Sequence, residues 1–282
     1  MTEKEQMLTS ILNCRRADLY TGDVVLNEGQ EKIFATMQAR RAKGEPLQYI
    51  LRETGFLNLS LRVEDGIFIP RSETEVLVDR VLREIRSRKL DQKESLRILD
   101  IGTGTGNIAA ALAFELDSAA VTAVDVSPRA LLNAYKNAGR YNLYKRITLI
   151  QSDLFRNLPS DIQYDVIVTN PPYIARGDMP HLPEDVRQEP TKALNGGIDG
   201  MDFYRRMMSE IRYYLVPGGI FACEMGAGQK SEIFRTLKNS QAFETIKFYK
   251  DLAGLDRVAI AALKTERQDE LLSEAVSLEL RG

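Results

Sequence analysis

The chain has 282 residues, enough for one large domain or for a small and a medium one. With 28% charged and 44% hydrophobic residues it has the make-up of a globular protein in water, and a net charge of −2 gives no overall basic footprint for nucleic acid. Cys14 and Cys223 are the only cysteines, far apart and outside any metal-ligand spacing, so two inert thiols in a reduced cytosol and no metal are expected; a charged, mixed N-terminus and the lack of a long apolar run argue against a signal peptide or a membrane span.

In chain order, helical patterning comes first. Met7, Leu8, Ile11 and Leu12 recur at helix spacing, and Asn27 is placed to cap a helix carrying Ile33, Phe34 and Met37. Arg40, Arg41 and Lys43 fall in that helix's last turn, where cations suit the dipole, and Gly44 is a natural stop. The period then changes. Phe56, Leu57, Leu59, Leu61 and Val63 mostly alternate, and Asp65-Gly66 is a turn signal before Ile67-Phe68-Ile69, so residues 53–69 read as a hairpin linking a helical domain, 1–52, to a larger one, 70–282. Ser72 and Glu75 have capping-box spacing ahead of the apolar face Val76, Leu77, Val81 and Leu82.

Strands and helices alternate from there. Strands are expected at Leu96–Ile101, Ala120–Val126, Ile147–Ile150, Tyr164–Thr169 and Gly219–Glu224, followed by two closing strands joined through 251–256. Helices are expected at Asn107–Leu116, Pro128–Tyr141, Asp202–Leu215 and Gln229–Leu237. That order implies an α/β fold with a doubly wound, mainly parallel seven-stranded sheet, closed by an antiparallel hairpin at one edge.

Three stretches carry chemistry. Gly102-Thr103-Gly104-Thr105-Gly106 follows the first strand of the sheet, and alternate glycines let backbone amides come close to a ligand. Asp125, about 20 residues on, ends the next strand, where a carboxylate accepts from ribose hydroxyls. Both adenosyl-methionine and dinucleotide enzymes use this device, but the dinucleotide fingerprint wants its third glycine at position 107, which is Asn. Asp153-Leu154 stands at the end of the third strand region; its plainer reading is a turn cap. Asn170-Pro171-Pro172-Tyr173 directly follows the apolar run Tyr164–Thr169. Neither proline can donate to a ladder, so the strand must stop in a stiff turn at the sheet's carboxyl edge. The turn offers the Asn170 side-chain oxygen and the Pro171 carbonyl as two acceptors for an –NH2 group, with the Tyr173 ring beside them. The plainer reading is a proline-rich loop that only ends a strand. His181, the only histidine, reads as a solvated loop residue.

Along nearly its whole length the chain resembles the bacterial glutamine-N5 methyltransferases of peptide chain release factors, the HemK/PrmC family. The resemblance rests on Gly44-Glu45-Pro46-Leu47-Gln48-Tyr49-Ile50, Ile69 to Glu75, Leu99 to Gly106, Ala123-Val124-Asp125, Ser152 to Phe155 and Asn170 to Ile174. Asp185-Val186-Arg187 with Glu189-Pro190 and Ala193-Leu194, Pro217-Gly218-Gly219 with Glu224, and Asp251 with Arg257-Val258 add to it. The glycine turn is common to many methyltransferases and Asn-Pro-Pro-Tyr to those acting on adenine, guanine or glutamine amino groups. The Ile-Pro-Arg segment and the Glu-Pro loop are more specific. The resemblance implies a five-helix-type N-terminal domain, a hairpin linker and a class I catalytic domain. S-adenosyl-L-methionine would be held by Gly102, Thr103, Gly104, Thr105, Gly106, Asp125, Asp153, Leu154 and Asn170, and S-adenosyl-L-homocysteine released. Catalysis and glutamine binding fall to Asn170, Pro171, Pro172 and Tyr173, with no metal. A class 1 release factor is the implied partner, met by a cytoplasmic monomer without nucleic-acid or membrane binding. Two departures stand out: the segment before the hairpin is short, as though its first helix were reduced or missing, and Ser72 stands where many members have proline. A glutamine methyltransferase of a ribosomal protein, a nucleic-acid amino methyltransferase and a non-catalytic binding module are the alternatives.

Overall fold

A computed structural model describes residues 1–21 and 25–265. Thr2 and Glu5 form a reciprocal capping box at the start of α1 (Glu3–Leu12), and Asn27 with Gln30 does the same for α2 (Glu28–Ala42). Only Met7 of α1 is buried, and α2 buries nothing fully: Phe34 and Met37 are half-buried and Ile33 is exposed, and α2 packs mainly along α1 and the short α3 (Leu47–Leu51). These helices and a 3-10 turn at Arg16–Tyr20 precede the hairpin among the described residues, fewer than the five helices the resemblance implies, although a ten-residue α1 opens the chain.

The hairpin lies inside the expected span, but its turn is elsewhere. β1 (Glu53–Phe56) and β2 (Leu59–Arg62) pair antiparallel around Leu57-Asn58, with Leu57 at φ +51°. Asp65-Gly66 does turn, yet the following 67–69 is not a strand. Side chains take its backbone groups instead: the Tyr49 hydroxyl donates to the Ile67 carbonyl at 2.6 Å, and the Ile69 N–H donates to Glu189 at 3.0 Å. The expected Ser72–Glu75 capping box also does not form. Arg71 occupies the N-cap position of α4 (Ser72–Ser87), so Ser72 is already helical, and Glu75 Oε1 reaches back to accept the Leu57 N–H at 2.9 Å.

The sheet comprises β3 (Leu96–Ile101), β4 (Ala119–Asp125), β5 (Ile147–Gln151), β6 (Tyr164–Thr169), β7 (Leu215–Glu224), β8 (Phe243–Lys250) and β9 (Asp256–Leu263) in the order β5-β4-β3-β6-β7-β9-β8. All pairings are parallel except β7 with β9 and β9 with β8. β7 starts four residues earlier than expected because Leu215 pairs with Tyr164 across a register shift. The crossovers are α5 (Asn107–Glu115), α6 (Pro128–Arg140), the short α7 (Glu184–Arg187) and α8 (Thr191–Leu194), α9 (Asp202–Tyr214) and α10 (Lys230–Asn239). Every residue of β6 is buried, as a parallel strand covered on both faces must be.

The hairpin belongs to this body and is no free tether. Phe56, Leu59 and Leu61 join one main apolar core with Leu77, Val81 and Ile98. Two fully buried asparagines of α6 pin it. Asn137 accepts the Arg62 N–H at 2.8 Å and donates to the Arg62 and Thr105 carbonyls at 3.0 and 2.8 Å; Asn133 accepts the Glu64 N–H and donates to the Arg62 carbonyl. Asn137→Ala strands these buried groups and is expected to cost about 1–3 kcal/mol in urea unfolding. An unchanged midpoint would show that the hairpin is held by its apolar residues alone.

Candidate active site

Strand order reverses between β3 and β6, and in such sheets ligands bind in the crevice beyond the carboxyl ends at that point. The turn after β3 and the turn after β6 are thereby side by side, with Ile101 paired to Thr169 and the Thr169 hydroxyl donating to the Ile101 carbonyl at 2.8 Å.

The glycine turn is wrapped onto β4. Gly102 and Thr103 both donate to the Val124 carbonyl at 2.9 Å, and Gly104 donates to Asp125 Oδ2 at 2.9 Å. Asp125 Oδ1 accepts from Ser127 N–H at 2.8 Å. Gly102 and Gly104 sit at φ +73° and +55°, and a Cβ at Gly102 would meet no protein atom within 4 Å. Both line a cavity of about 290 Å³ together with Thr103, Asp125, Asp153 and Leu154. Thr105 and Gly106, read as binding residues, are not in its wall. Gly106 instead lets α5 approach α6, since a Cβ there would lie 2.9 Å from that of Ala134. Asp153 is half-exposed and ion-paired to Arg206 at 2.7 Å, whose guanidinium also lies 5.8 Å from the Phe203 ring at the cavity edge.

Asn170 and Pro171 line this cavity and also a second one of about 120 Å³, walled by Phe68, Arg71, Tyr173, Val186 and Leu194. With Phe68 and Ala193, which also line both, they form the partition between the two, while Pro172 faces the larger and Tyr173 the smaller. The partition is held from behind. Asn170 Nδ2 donates to Thr74 Oγ1 at 3.0 Å; Thr74 donates to Glu224 Oε2 at 2.6 Å; the Tyr173 hydroxyl donates to Glu224 Oε1 at 3.1 Å. Gln229 donates to the Tyr173 carbonyl at 2.9 Å, and Gly200 at φ +78° lies so close that a Cβ would stand 2.2 Å from that oxygen. Asn170 Oδ1 and the Pro171 carbonyl are left with no hydrogen-bond donor among the described residues.

Arg71 lines the smaller cavity and Pro190 of the Glu-Pro loop the larger, and Glu189 ties the two segments together. The Glu189 side chain is 1% exposed, takes the Ile69 N–H and is ion-paired to Arg71. Burial pushes its carboxyl upward, against the opposing pull of Arg71.

Several residues at the site carry no local signal. Thr74 and Glu224 lie in stretches that only the family resemblance marks, and nothing local marks a helix threonine as the partner of an asparagine 96 residues away. Phe68 lies in the span expected to be a hairpin linker, yet it lines both cavities. Asp100, just before the glycine turn, is fully buried: Oδ2 accepts from Thr103 Oγ1 at 2.6 Å and from Ala109 N–H at 3.2 Å, and Oδ1 has no partner among the described residues. Burial pushes Asp100 and Glu224 each up to about 7, opposed at Asp100 by the Thr103 bond and at Glu224 by Thr74 and Tyr173. His181 is exposed in a 3-10 turn, Met179–His181. Cys223 is buried and its thiol pushed well upward by desolvation. Among the described residues no cluster of three metal-ligating side chains occurs, and no helix is long and apolar enough to cross a membrane.

Two known families match the sequence: the Methyltransferase small domain over residues 81–197 and the PrmC N-terminal domain over residues 2–51. The Release factor glutamine methyltransferase of Moorella thermoacetica is 41% identical over 80% of this chain and 78% of its own. That of Geobacter sulfurreducens is 40% identical over 91% and 87%. Among solved structures, the catalytic domain of human Mettl16 with an RNA hairpin superposes at TM-score 0.58 over 87% of this chain and 86% of its own, at 16% identity. The T. thermophilus 16S rRNA N2 G1207 methyltransferase superposes at 0.56 over 75% and 50%, at 19% identity. These two show a shared fold.

The two raised carboxyls have a consequence for stability. The folded chain holds protons at Asp100 and Glu224 that the unfolded chain releases near the ordinary values of 3.8 and 4.5, so their contribution is full below those values and lost as pH rises through about 7. Glu224→Gln should therefore gain on the wild type in urea-unfolding stability between about pH 5 and pH 8, by about 1.4 kcal/mol per unit of the wild-type shift at most. A difference that does not change with pH would show that Glu224 is not held protonated.

Proposed function

The chain belongs to the family of release factor glutamine methyltransferases, and on that premise we propose that it transfers a methyl group from S-adenosyl-L-methionine to the side-chain amide nitrogen, N5, of the glutamine in the Gly-Gly-Gln motif of class 1 peptide chain release factors. The observation that carries the reading is the shared wall. One asparagine-proline pair, with two unused acceptors, separates a cavity suited to an adenosyl donor from a small pocket suited to a side-chain amide.

The larger cavity fits the donor on its own chemistry. Gly102 and Gly104 leave it free of side chains, and each Asp125 oxygen has accepted one backbone N–H and keeps a further lone pair for ribose hydroxyls. Asp153-Leu154 borders it where an adenine would lie. Bound there, the donor supplies an electrophilic methyl on sulfur.

Every other step belongs to the chain. A carboxamide nitrogen is a weak nucleophile because its lone pair is delocalised into the carbonyl. Asn170 Oδ1 and the Pro171 carbonyl accept its two N–H groups and hold the nitrogen at the partition, in line with the larger cavity. Alignment at near-attack distance supplies much of the acceleration in such transfers. Two acceptors facing a nitrogen that gains positive charge add electrostatic stabilisation. Phe68 and Tyr173 pack the aliphatic part of the glutamine, and the Glu189–Arg71 pair keeps Phe68 and the Glu-Pro loop together around it. Residues 1–52 serve docking of the protein substrate. They meet the start of α7, Glu184 and Asp185, across an open cleft of about 650 Å³ lined also by Glu3, Met7 and Arg41.

Single-turnover methylation of purified release factor, with a ribosomal protein and nucleic acids offered in parallel, tests the reading. Asn170→Ala is expected to slow transfer roughly 10²–10³-fold with little change in donor affinity. Asp125→Ala is expected to weaken donor binding by about 1–3 kcal/mol in calorimetry. Near-normal turnover in the first, unchanged affinity in the second, or faster methylation of another substrate would each sink the corresponding assignment.

Docking is tested separately. Removing residues 1–42, which keeps the hairpin and the Tyr49 contact to Ile67, is expected to leave donor binding intact and to raise KM for the release factor. An unchanged KM would show those helices to be dispensable.

A further inference from the structure

Asn170 carries one acceptor and one donor on an amide whose two ends are nearly equal in size, and only the oxygen end complements an –NH2 group. Something must keep the oxygen forward. We propose that Thr74 and Glu224 are positioning residues that set which end of the Asn170 carboxamide faces the acceptor nitrogen, a role that rests on the assignment of Asn170 Oδ1 to the substrate amide.

Ionised Glu224 can only accept, and it accepts from Thr74 at 2.6 Å on Oε2 and from Tyr173 at 3.1 Å on Oε1. A hydroxyl has one proton. Thr74 spends its proton on Glu224 and so presents only lone pairs to Asn170, which must answer with Nδ2, at 3.0 Å. Oδ1 is thereby turned to the substrate.

Protonation of Glu224 removes that constraint. A proton on Oε1 would leave the half-buried Tyr173 hydroxyl hydrogen without an acceptor among the described residues. A proton on Oε2 reverses the chain without loss: Glu224 donates to Thr74, Thr74 donates onward, and Asn170 satisfies it by turning Oδ1 inward. The second arrangement is favoured because it leaves no buried polar group unpaired. It presents Nδ2 to the substrate –NH2, donor against donor.

The groups around Glu224 put this switch near neutrality. From α4 come Thr74 and the carboxylate of Glu73, which with burial favours the protonated form. From β9 comes Arg257, which favours the ionised form while bound to the Met225 carbonyl at 3.2 Å and to Asp251 at 3.2 Å. Tyr204 on α9 donates to the Glu224 carbonyl at 2.7 Å, and the neighbouring Cys223 is buried and neutral. The carboxyl is held up at about 7.

The test is single-turnover methylation of release factor at saturating donor, from about pH 6 to pH 8.5. The wild-type rate should rise as pH passes through about 7, as Glu224 ionises. Glu224→Gln must place its own –NH2 against either Thr74 or Tyr173; it takes the Thr74 side for the reason given, and its rate should be low and flat with pH. Asp100, also held near 7, is intact in that variant, so a flat profile assigns the acid limb to Glu224. Thr74→Val should be slowed about 10- to 100-fold, the scale of a small misplacement at a reacting centre. Thr74→Ser, which keeps the hydroxyl, should recover most of the rate and the wild-type profile. Donor affinity should be unchanged in all three.

A wild-type rate in Thr74→Val, or a wild-type pH profile in Glu224→Gln, together with an inactive Asn170→Ala, overturns the positioning role alone. An active Asn170→Ala overturns the parent reading as well. If Thr74→Val does not fold, the Glu224→Gln profile decides.

Discussion

Everything at the reacting end of this protein depends on β6 stopping dead at Asn170 and being held there. Burial on both faces of the sheet makes β6 continuous and apolar, and two prolines then deny it any further ladder bond. A stop of this kind leaves carbonyls and a side-chain amide projecting at the crevice. It also leaves the turn unsupported unless something behind it supplies polar partners. Thr74, Glu224 and Gln229 do so, and they come from α4, the end of β7 and the turn before α10. The cost is a carboxyl buried with no exposure, whose ionisation the surrounding apolar core resists. That carboxyl takes one hydroxyl on each oxygen, and the chain of hydrogen bonds it anchors through Thr74 ends at Asn170.

The two cavities follow from the same topology. The strand order reverses beside β6, so the glycine turn of β3, the carboxylate ending β4 and the Asn-Pro-Pro turn converge on one crevice. The second wall is built from parts distant in sequence. Glu189 reaches the backbone of Ile69 and the guanidinium of Arg71, so the segment after the hairpin and the Glu-Pro loop are joined beside both cavities. Family membership and pocket geometry agree on an amide nitrogen as the methyl acceptor. The two RNA methyltransferases with similar folds show only how widely the catalytic frame is shared, since their identity to this chain is below 20%.

Much of the frame was legible in the sequence because it is written in local terms. Strand and helix periods, the Asn27 cap and the glycine turn are decided within a few residues, and β3 to β7 with the long helices α5, α6, α9 and α10 fall within a few residues of their expected bounds, while the short α7 and α8 carry no such period. Local signals misled where a distant group competed for the same atoms. Ser72 and Glu75 have capping-box spacing, but Arg71 takes the cap position and Glu75 turns to the hairpin. Asp65-Gly66 turns as expected, yet the next residues form no strand because Tyr49 and Glu189 hold their backbone groups. Thr105 and Gly106 belong to the motif but not to the cavity wall, since the turn carries them behind it into helix packing.

By itself the sequence determined the fold class, the stop after β6 and the acceptors that Asn170 and Pro171 can offer, because strand period and proline stereochemistry need no partner. Only the tertiary structure decided which way those acceptors point and what closes over them. Thr74 is 96 residues from Asn170 and Glu224 is 150 from Thr74, and no pattern along a single chain says that a helix hydroxyl and a strand-end carboxylate will meet there. Hydrogen-bond polarity is a property of the assembled network, and it exists only once the core has buried its members beyond the reach of water.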